Sequence, residues 1–279
     1  MPVLQRGHPL AQGLVGAWLF TESGAATSNA ANQQYSIRDW SDSLLTGLST
    51  PSGASSIAMQ WGNGLLGRSF LTGATLAGSE SRIEVTDSRF AALIISSEFS
   101  FAGWVFDTDA VGTSLAYILT CPAYNGVNEP FAFRLNNTGH LEITNGSVGA
   151  PFTTLTSAFV PSSGAPVWFH FVISYSKKRG TLILYINGKF DASVTINNPF
   201  SFTNTFPFCI GGSGSNLNNR PLVGGIDSIM MWNRGLLDDD VRLLYSDHYA
   251  MFRVPSFAPA FKGPPPPPPL PLMGQIWLA

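Results

Sequence analysis

The sequence predicts an all-β fold, a two-sheet antiparallel sandwich with one short helix and a proline-rich C-terminal tail. Three observations carry this expectation. Charged residues make up only 11% of the chain, against roughly 25% in an average soluble domain. Polarity comes instead from Ser, Thr, Asn and Gly, which compete with helical backbone bonding and supply turns. Short runs of alternating apolar and polar residues recur at sandwich-like spacing. Asn187-Gly188 joins two such runs directly, the strongest short-range hairpin signal a sequence offers. The 279 residues fit one sandwich of about 200–250 residues with terminal extensions.

The elements follow in order. Residues 1–13 read as an extended arm. Residues 14–20 (LVGAWLF) form the first strand of a domain predicted to span 14–254. Residues 21–60 are rich in Ser, Ala, Asn and Gly and read as a long loop, with a short strand near 57–61. In 81–86, Ile83 and Val85 alternate with Arg82 and Glu84, the period of a half-buried strand. In 99–106 (FSFAGWVF), Phe99, Phe101, Gly103 and Val105 share a face. Strands at 115–120, 130–135 and 140–144 follow, the last two joined by a turn over 136–139. Residues 168–175 and 181–186 flank a hairpin loop whose Lys177-Lys178-Arg179 reads as a solvated tip. Strands at 189–196, 208–212 and 225–232 complete a set of about twelve. The one helical pattern is 236–245 (LLDDDVRLLY), with Leu237, Val241, Leu244 and Tyr245 on one face. Asp238, Asp239 and Asp240 suit the positive end of its dipole.

Residues 255–279 change character. Six consecutive prolines at 264–269 favour a polyproline II rod of roughly 3.1 Å per residue. An apolar stretch follows. Pro264, Leu270, Ile276, Trp277 and Leu278 are the candidate residues of an assembly arm. The alternative is a tail folded back on its own domain.

Composition narrows the partners. The formal net charge is -2, from 15 basic and 17 acidic residues with no long run of either. Nucleic acid is therefore not an expected partner, since it demands clustered Lys and Arg. No secretory signal pattern opens the chain, and no apolar run is long enough for a membrane helix. Cys121 and Cys209 sit in apolar strand contexts and read as buried thiols, with a bridge left open.

Six segments, in order, resemble the laminin-G-like (concanavalin A-like) lectin/glucanase family. They are Gly13–Phe20, Gly67-Arg68-Ser69-Phe70, the strand Glu98–Val105, Trp168-Phe169-His170-Phe171-Val172, the hairpin Leu184-Tyr185-Ile186-Asn187-Gly188, and Gly225-Ile226-Asp227-Ser228-Ile229 with Trp232, Asn233, Arg234 and Leu236. The resemblance spans about residues 14–247 and implies a concanavalin A-like jelly roll. The opening strand and the stretch 244–252 also resemble laminin-G-like proteins of tailed phages.

The resemblance implies two kinds of site. Some relatives hold calcium at the sandwich rim, and calcium needs six to eight oxygen ligands. Asp107, Asp109 and Asp227 are the candidates here, with Asp39 and Asp42 behind them. An Asx-turn pair is the competing reading of Asp107 and Asp109, and a structural role that of Asp227. Sugar binding asks for an exposed aromatic platform beside planar polar groups. Trp40, Trp61, Tyr124, Asn125 and Asn128 meet that description, whereas Trp18, Trp104, Trp168 and Trp232 read as core. Catalysis is not expected. Glycoside hydrolysis needs paired carboxylates, and the Glu-x-Asp-x-x-Glu strand pattern of glucanase relatives is absent. Glu84 and Glu142 read as outward strand positions. His170 reads as a satisfied structural histidine, and no Ser/His/Asp constellation is visible.

The leading expectation is a non-enzymatic virion decoration or adhesion protein. It would dock on other subunits or on itself through terminal arms and adhere to glycans. The alternative is a carbohydrate-binding module, with or without calcium.

Overall fold

The computed structural model describes residues 3–20, 36–45, 47–52, 60–63, 68–72, 80–87, 89–90, 98–107, 115–121, 130–146, 153–161, 167–196, 200, 207–212 and 222–252. Among these residues sixteen strands run in chain order. They are β1 (Leu14–Trp18), β2 (Ser36–Ile37), β3 (Gly47–Ser52), β4 (Gln60–Asn63), β5 (Arg68–Thr72), β6 (Glu80–Val85), β7 (Glu98–Asp107) and β8 (Ala116–Cys121). Then come β9 (Phe131–Leu135), β10 (Leu141–Asn145), β11 (Thr153–Thr156), β12 (Phe169–Ser176), β13 (Thr181–Ile186), β14 (Lys189–Thr195), β15 (Phe208–Ile210) and β16 (Gly224–Trp232). Helix α1 spans Asp238–Ser246. The tail residues Pro264, Leu270, Ile276, Trp277 and Leu278 lie outside the described residues.

The strands form two antiparallel sheets. One has the order β14-β13-β12-β7-β16-β5-β4, with β1 also paired to β16. The other runs β11-β10-β9-β8-β15-β6-β3-β2. The expected two-sheet sandwich is thus the observed one. Alternation sets which residues meet between the sheets. Phe99, Phe101 and Val105 of β7 and Phe169, Phe171 and Ile173 of β12 face Phe131, Phe133, Ile143 and Phe208 of the second sheet. Aromatic rings lock the layers, with Phe133 4.7 Å from Phe171 and Phe101 5.1 Å from Phe131, centroid to centroid. Gly103 permits a close approach: a Cβ there would lie 2.5 Å from the Ser228 carbonyl, where the β16 register shifts past β7. The predicted Asn-Gly hairpin has Asn187 and Gly188 both at positive φ, 50° and 75°, as its two-residue turn demands.

The outer face of the first sheet is a second core. Ala102, Val172, Met230 and Trp232 are buried there beneath Leu10, Val241, Leu244 and Met251. Residues 3–13, expected to belong to an extended N-terminal arm, pack against this face. Leu10 is wholly buried, the Trp232 indole donates to its carbonyl at 2.7 Å, and Gln5 N–H donates to Met251 at 2.8 Å. Arg234 ties the same segment down, donating to the carbonyls of Gln12 and Pro9 while pairing with Asp240 at 2.7 Å.

The helix differs from its expected face. Leu237 is 60% exposed, because it is the extended residue before the first turn (ψ 164°) and donates its N–H to Asp240. Tyr245 is also partly exposed, its ring stacked on Trp104 at 5.6 Å. Val241 and Leu244 are buried as expected.

Candidate functional site

A recess of about 280 Å³ opens on the first sheet where the second core ends. Its floor comes from outward positions of β12 and β13. Because Ile173, Tyr175, Leu182 and Leu184 point into the sandwich, Ser174, Ser176, Thr181, Ile183 and Tyr185 must point out. The lip is the segment 236–238 leading into α1. Serine hydroxyls pin that lip to the sheet: Ser100 Oγ donates to the Arg234 carbonyl (2.9 Å) and accepts from Leu236 N–H (3.0 Å), while Ser174 Oγ donates to the Leu236 carbonyl (3.2 Å).

The recess is lined with groups of fixed polarity. Ser176 Oγ donates to Glu98 at 2.8 Å, and the Tyr185 hydroxyl donates to Asp238 at 2.7 Å. Burial, reinforced by the Asp238 carboxylate, pushes the Tyr185 phenol up, so it stays a neutral donor. Arg179 enters from the β12–β13 turn, and Leu237 gives an exposed apolar edge. Hydroxyls, a carboxylate and a guanidinium therefore face one space bounded by aliphatic and phenolic surface.

Trp40, Asp107 and Asp227, candidates whose side chains are described, do not line this recess. Trp40 is not an exposed platform: it is 9% exposed, packed in the second core with Arg38 4.1 Å above its ring. The reason is Asp39, whose buried carboxylate accepts from Ala17 N–H, Ser41 N–H, Ser41 Oγ and Leu45 N–H at 2.7–2.8 Å. That knot fastens the loop against β1. Trp61 lies in β4, paired with Phe70 of β5. Tyr124, Asn125 and Asn128 lie outside the described residues.

The described aspartates do not form a calcium cage. Asp107 ends β7 opposite Gly224, whereas Asp227 is buried further along β16 and accepts from the Tyr249 hydroxyl at 3.2 Å. Among the described residues no three His, Cys, Asp or Glu converge. Asp109 lies outside them.

Glu84 and Glu142 do point outward, from the second sheet, and each is held by an arginine. Arg134 pairs with Glu142 at 3.0 Å and donates to the Tyr117 hydroxyl at 3.1 Å, and Arg82 pairs with Glu84 at 2.7 Å. In the order β10-β9-β8-β15-β6 the two glutamates stand four strands apart, or about 19 Å at about 4.8 Å per strand. Cys121 and Cys209 are both buried and form no disulfide with each other.

One constellation was invisible in the sequence. His248 Nε2 lies 2.5 Å from Ser228 Oγ, and His170 sits 5.6 Å from the His248 ring. His170 is not the satisfied histidine expected: among the described residues neither ring nitrogen has a hydrogen-bond partner, and the rings of Trp104, Tyr245 and His248 surround it. Burial holds His170 well below its ordinary value and His248 down to about 3, the latter opposed by the Leu244 carbonyl. The cluster is closed off beneath α1 and presents no reactive atom to solvent.

The recess residues left a partial signal. Alternation in 168–176 already places Ser174 and Ser176 outward, but that 236–238 would form a lip over them is a tertiary fact.

A family model described as the concanavalin A-like lectin/glucanases superfamily matches residues 77–242. Among solved structures, the binding domain of botulinum neurotoxin DC in complex with rat synaptotagmin II is 12% identical with a TM-score of 0.60, over 85% of this chain and 52% of that one. The same toxin's binding domain in complex with SialylT is 14% identical with a TM-score of 0.60, over 85% and 51%. Domain 4 of AbnA, an extracellular arabinanase from Geobacillus stearothermophilus in complex with arabinotriose, is 20% identical with a TM-score of 0.59, over 83% and 98%. The chain spans about half the length of the toxin domains it matches. At these identities the likeness concerns the fold. No curated protein matches the chain.

Proposed function

The chain belongs to the concanavalin A-like lectin/glucanases superfamily, and we propose that it is a non-enzymatic adhesion module that takes a saccharide in the recess beside Tyr185. The carrying observation is that recess: about 280 Å³, with Ser176, Arg179, Thr181 and Asp238 facing it beside Tyr185 and Leu237. A sugar ring presents hydroxyls around its edge and C–H groups on its faces, and such a site meets both. Pockets that fix small ligands combine apolar walls with a few placed polar groups in this way. The saccharides bound by two similar domains, one with SialylT and one with arabinotriose, support the reading.

Two findings support a role without catalysis. The outward glutamates are ion-paired and about 19 Å apart by strand spacing, beyond the roughly 9.5 Å limit for a glycosidase pair. The Ser228–His248 pair is buried. The finer part of the proposal is that the module decorates a virion, docking through the tail with Pro264, Leu270, Ile276, Trp277 and Leu278. It draws on the phage-type resemblance of the sequence. Light scattering of the chain with and without residues 255–279 tests self-assembly through the tail: a trimer or larger that becomes monomeric supports it, and an unchanged mass opposes it.

The saccharide reading is tested by calorimetric titration against a panel of neutral and charged oligosaccharides, with calcium and with chelator. Binding that weakens at least tenfold in Asp238→Ala and in Ser176→Ala is the expected result, as loss of a charge-assisted or neutral hydrogen bond requires. Binding indifferent to both substitutions would move the site elsewhere. A chelator effect would return calcium, through Asp107 and Asp109, to consideration.

A further inference from the structure

The recess has a charge environment that its own folding does not require. Among the described residues, Arg6, Arg82, Arg89, Arg134, Arg234 and Arg242 each pair with a carboxylate. Arg38 lies over Trp40. Lys177, Lys178 and Arg179 differ: they are consecutive, exposed and in no ion pair with a described residue. They occupy the turn between β12 and β13, where the backbone asks only for Gly180 at φ 60°. Three adjacent like charges repel one another and contribute nothing to that turn.

Their position gives them a use. Arg179 lines the recess itself, and its charge reaches the Tyr185 hydroxyl. Glu98 and Asp238 accept from Ser176 and Tyr185, and neither forms an ion pair with Lys177, Lys178 or Arg179. The cations of the turn can therefore meet an incoming anion at the mouth. A guanidinium fork matches a planar carboxylate or a sulfate, and adjacent lysines raise the local potential that draws such a ligand in.

We infer that the recess selects an anionic saccharide, with its carboxylate or sulfate on Arg179 at the Lys177–Arg179 turn and its neutral ring against Ser176, Tyr185 and Leu237. This inference rests on the saccharide reading above. The shared chemistry is one fixed negative group on a sugar. A uronic or sialic acid supplies a carboxylate, and a sulfated sugar supplies a sulfate ester.

The test is calorimetric titration of the full chain with a glucuronate disaccharide, a sialylated trisaccharide, a sulfated disaccharide and the uncharged counterpart of each. Each is run at about 30 mM and about 300 mM salt, which shortens the screening length severalfold. At least one charged sugar should bind on the order of tenfold tighter than its counterpart. That preference should shrink at high salt and disappear in Arg179→Ala, while Arg179→Lys keeps part of it. Urea unfolding of each variant verifies that the domain is intact. Which charged arm responds identifies carboxylate or sulfate. Equal binding of charged and neutral sugars, or a preference that survives Arg179→Ala, overturns this inference and leaves the saccharide site standing. Binding of no sugar at all overturns both.

Discussion

The two outward faces of the sandwich are built from the same strand geometry and do opposite things. On the first sheet, Ala102, Val172, Met230 and Trp232 are sealed by residues 3–13 and by the segment from Leu236 to Phe252. On the second sheet the outward positions include Arg82, Glu84, Tyr117, Arg134 and Glu142, with ion-pair side chains 11–18% exposed, beside the buried Thr120, Ala132 and Cys209. The first face is a core in its own right, so the segments 3–13 and 236–252 that cover it are structural. The second pairs its arginines with its glutamates. Among the described residues, a recess open to a ligand lies at the margin of the seal, where α1 begins beside the β12–β13 turn.

The sharpest way to break this contrast is to truncate one large side chain on each face. Trp232→Ala should cost about 3–5 kcal/mol, because it empties a buried site and strands the Leu10 carbonyl that the indole satisfies. Tyr117→Phe, which keeps this buried ring and removes only the hydroxyl to which Arg134 donates, should cost about 1–2 kcal/mol. Urea unfolding of both measures the difference. Comparable losses would mean that the first face is no more a core than the second.

The next largest effect is on acid stability, and it belongs to the first face alone. His170 and His248 are buried neutral, with Tyr245, Tyr249 and Asp227 as the titratable groups around them. Their pKa values are depressed relative to the unfolded chain. The unfolded state therefore binds more protons once pH falls below about 6.5, and stability declines from there toward about 3, the value of His248. The limiting slope is about 1.4 kcal/mol per pH unit for each histidine. Unfolding free energies of the wild type and His248→Phe across pH 4–7 should show a shallower slope in the variant. An unchanged slope would mean that His248 is not what makes the fold acid-sensitive.

The same contrast explains what the sequence revealed. Strands with a buried core face announced themselves: Phe99, Phe101, Phe169 and Phe171 alternate, and the Asn187-Gly188 turn needed no tertiary information. Gly47–Ser52 and Thr153–Thr156 did not, because Ser, Thr and Pro carry no apolar period and pairing alone makes them strands. Everything on the first outer face was harder still. Leu10, Trp40 and Met251 meet there from three distant segments, and an aromatic in a loop reads as exposed until its cover is known. The recess shares that difficulty, since Ser176 and Tyr185 are legible as outward but Leu237 and Asp238 arrive from another part of the chain.

The smallest effect concerns the second face. Arg134→Met alone leaves Glu142 without its guanidinium and should cost about 1–3 kcal/mol, since that carboxylate is largely covered. Arg134→Met combined with Glu142→Leu should come within about 1 kcal/mol of wild type, because a covered ion pair returns in Coulomb energy little more than its desolvation cost. Unfolding of both singles and the double closes the cycle. A double variant as unstable as the singles would show that this pair, with Tyr117, holds β8, β9 and β10 together. The second face would then be as structural as the first, which would leave the β12–β13 margin as the part of the described surface least committed to stability.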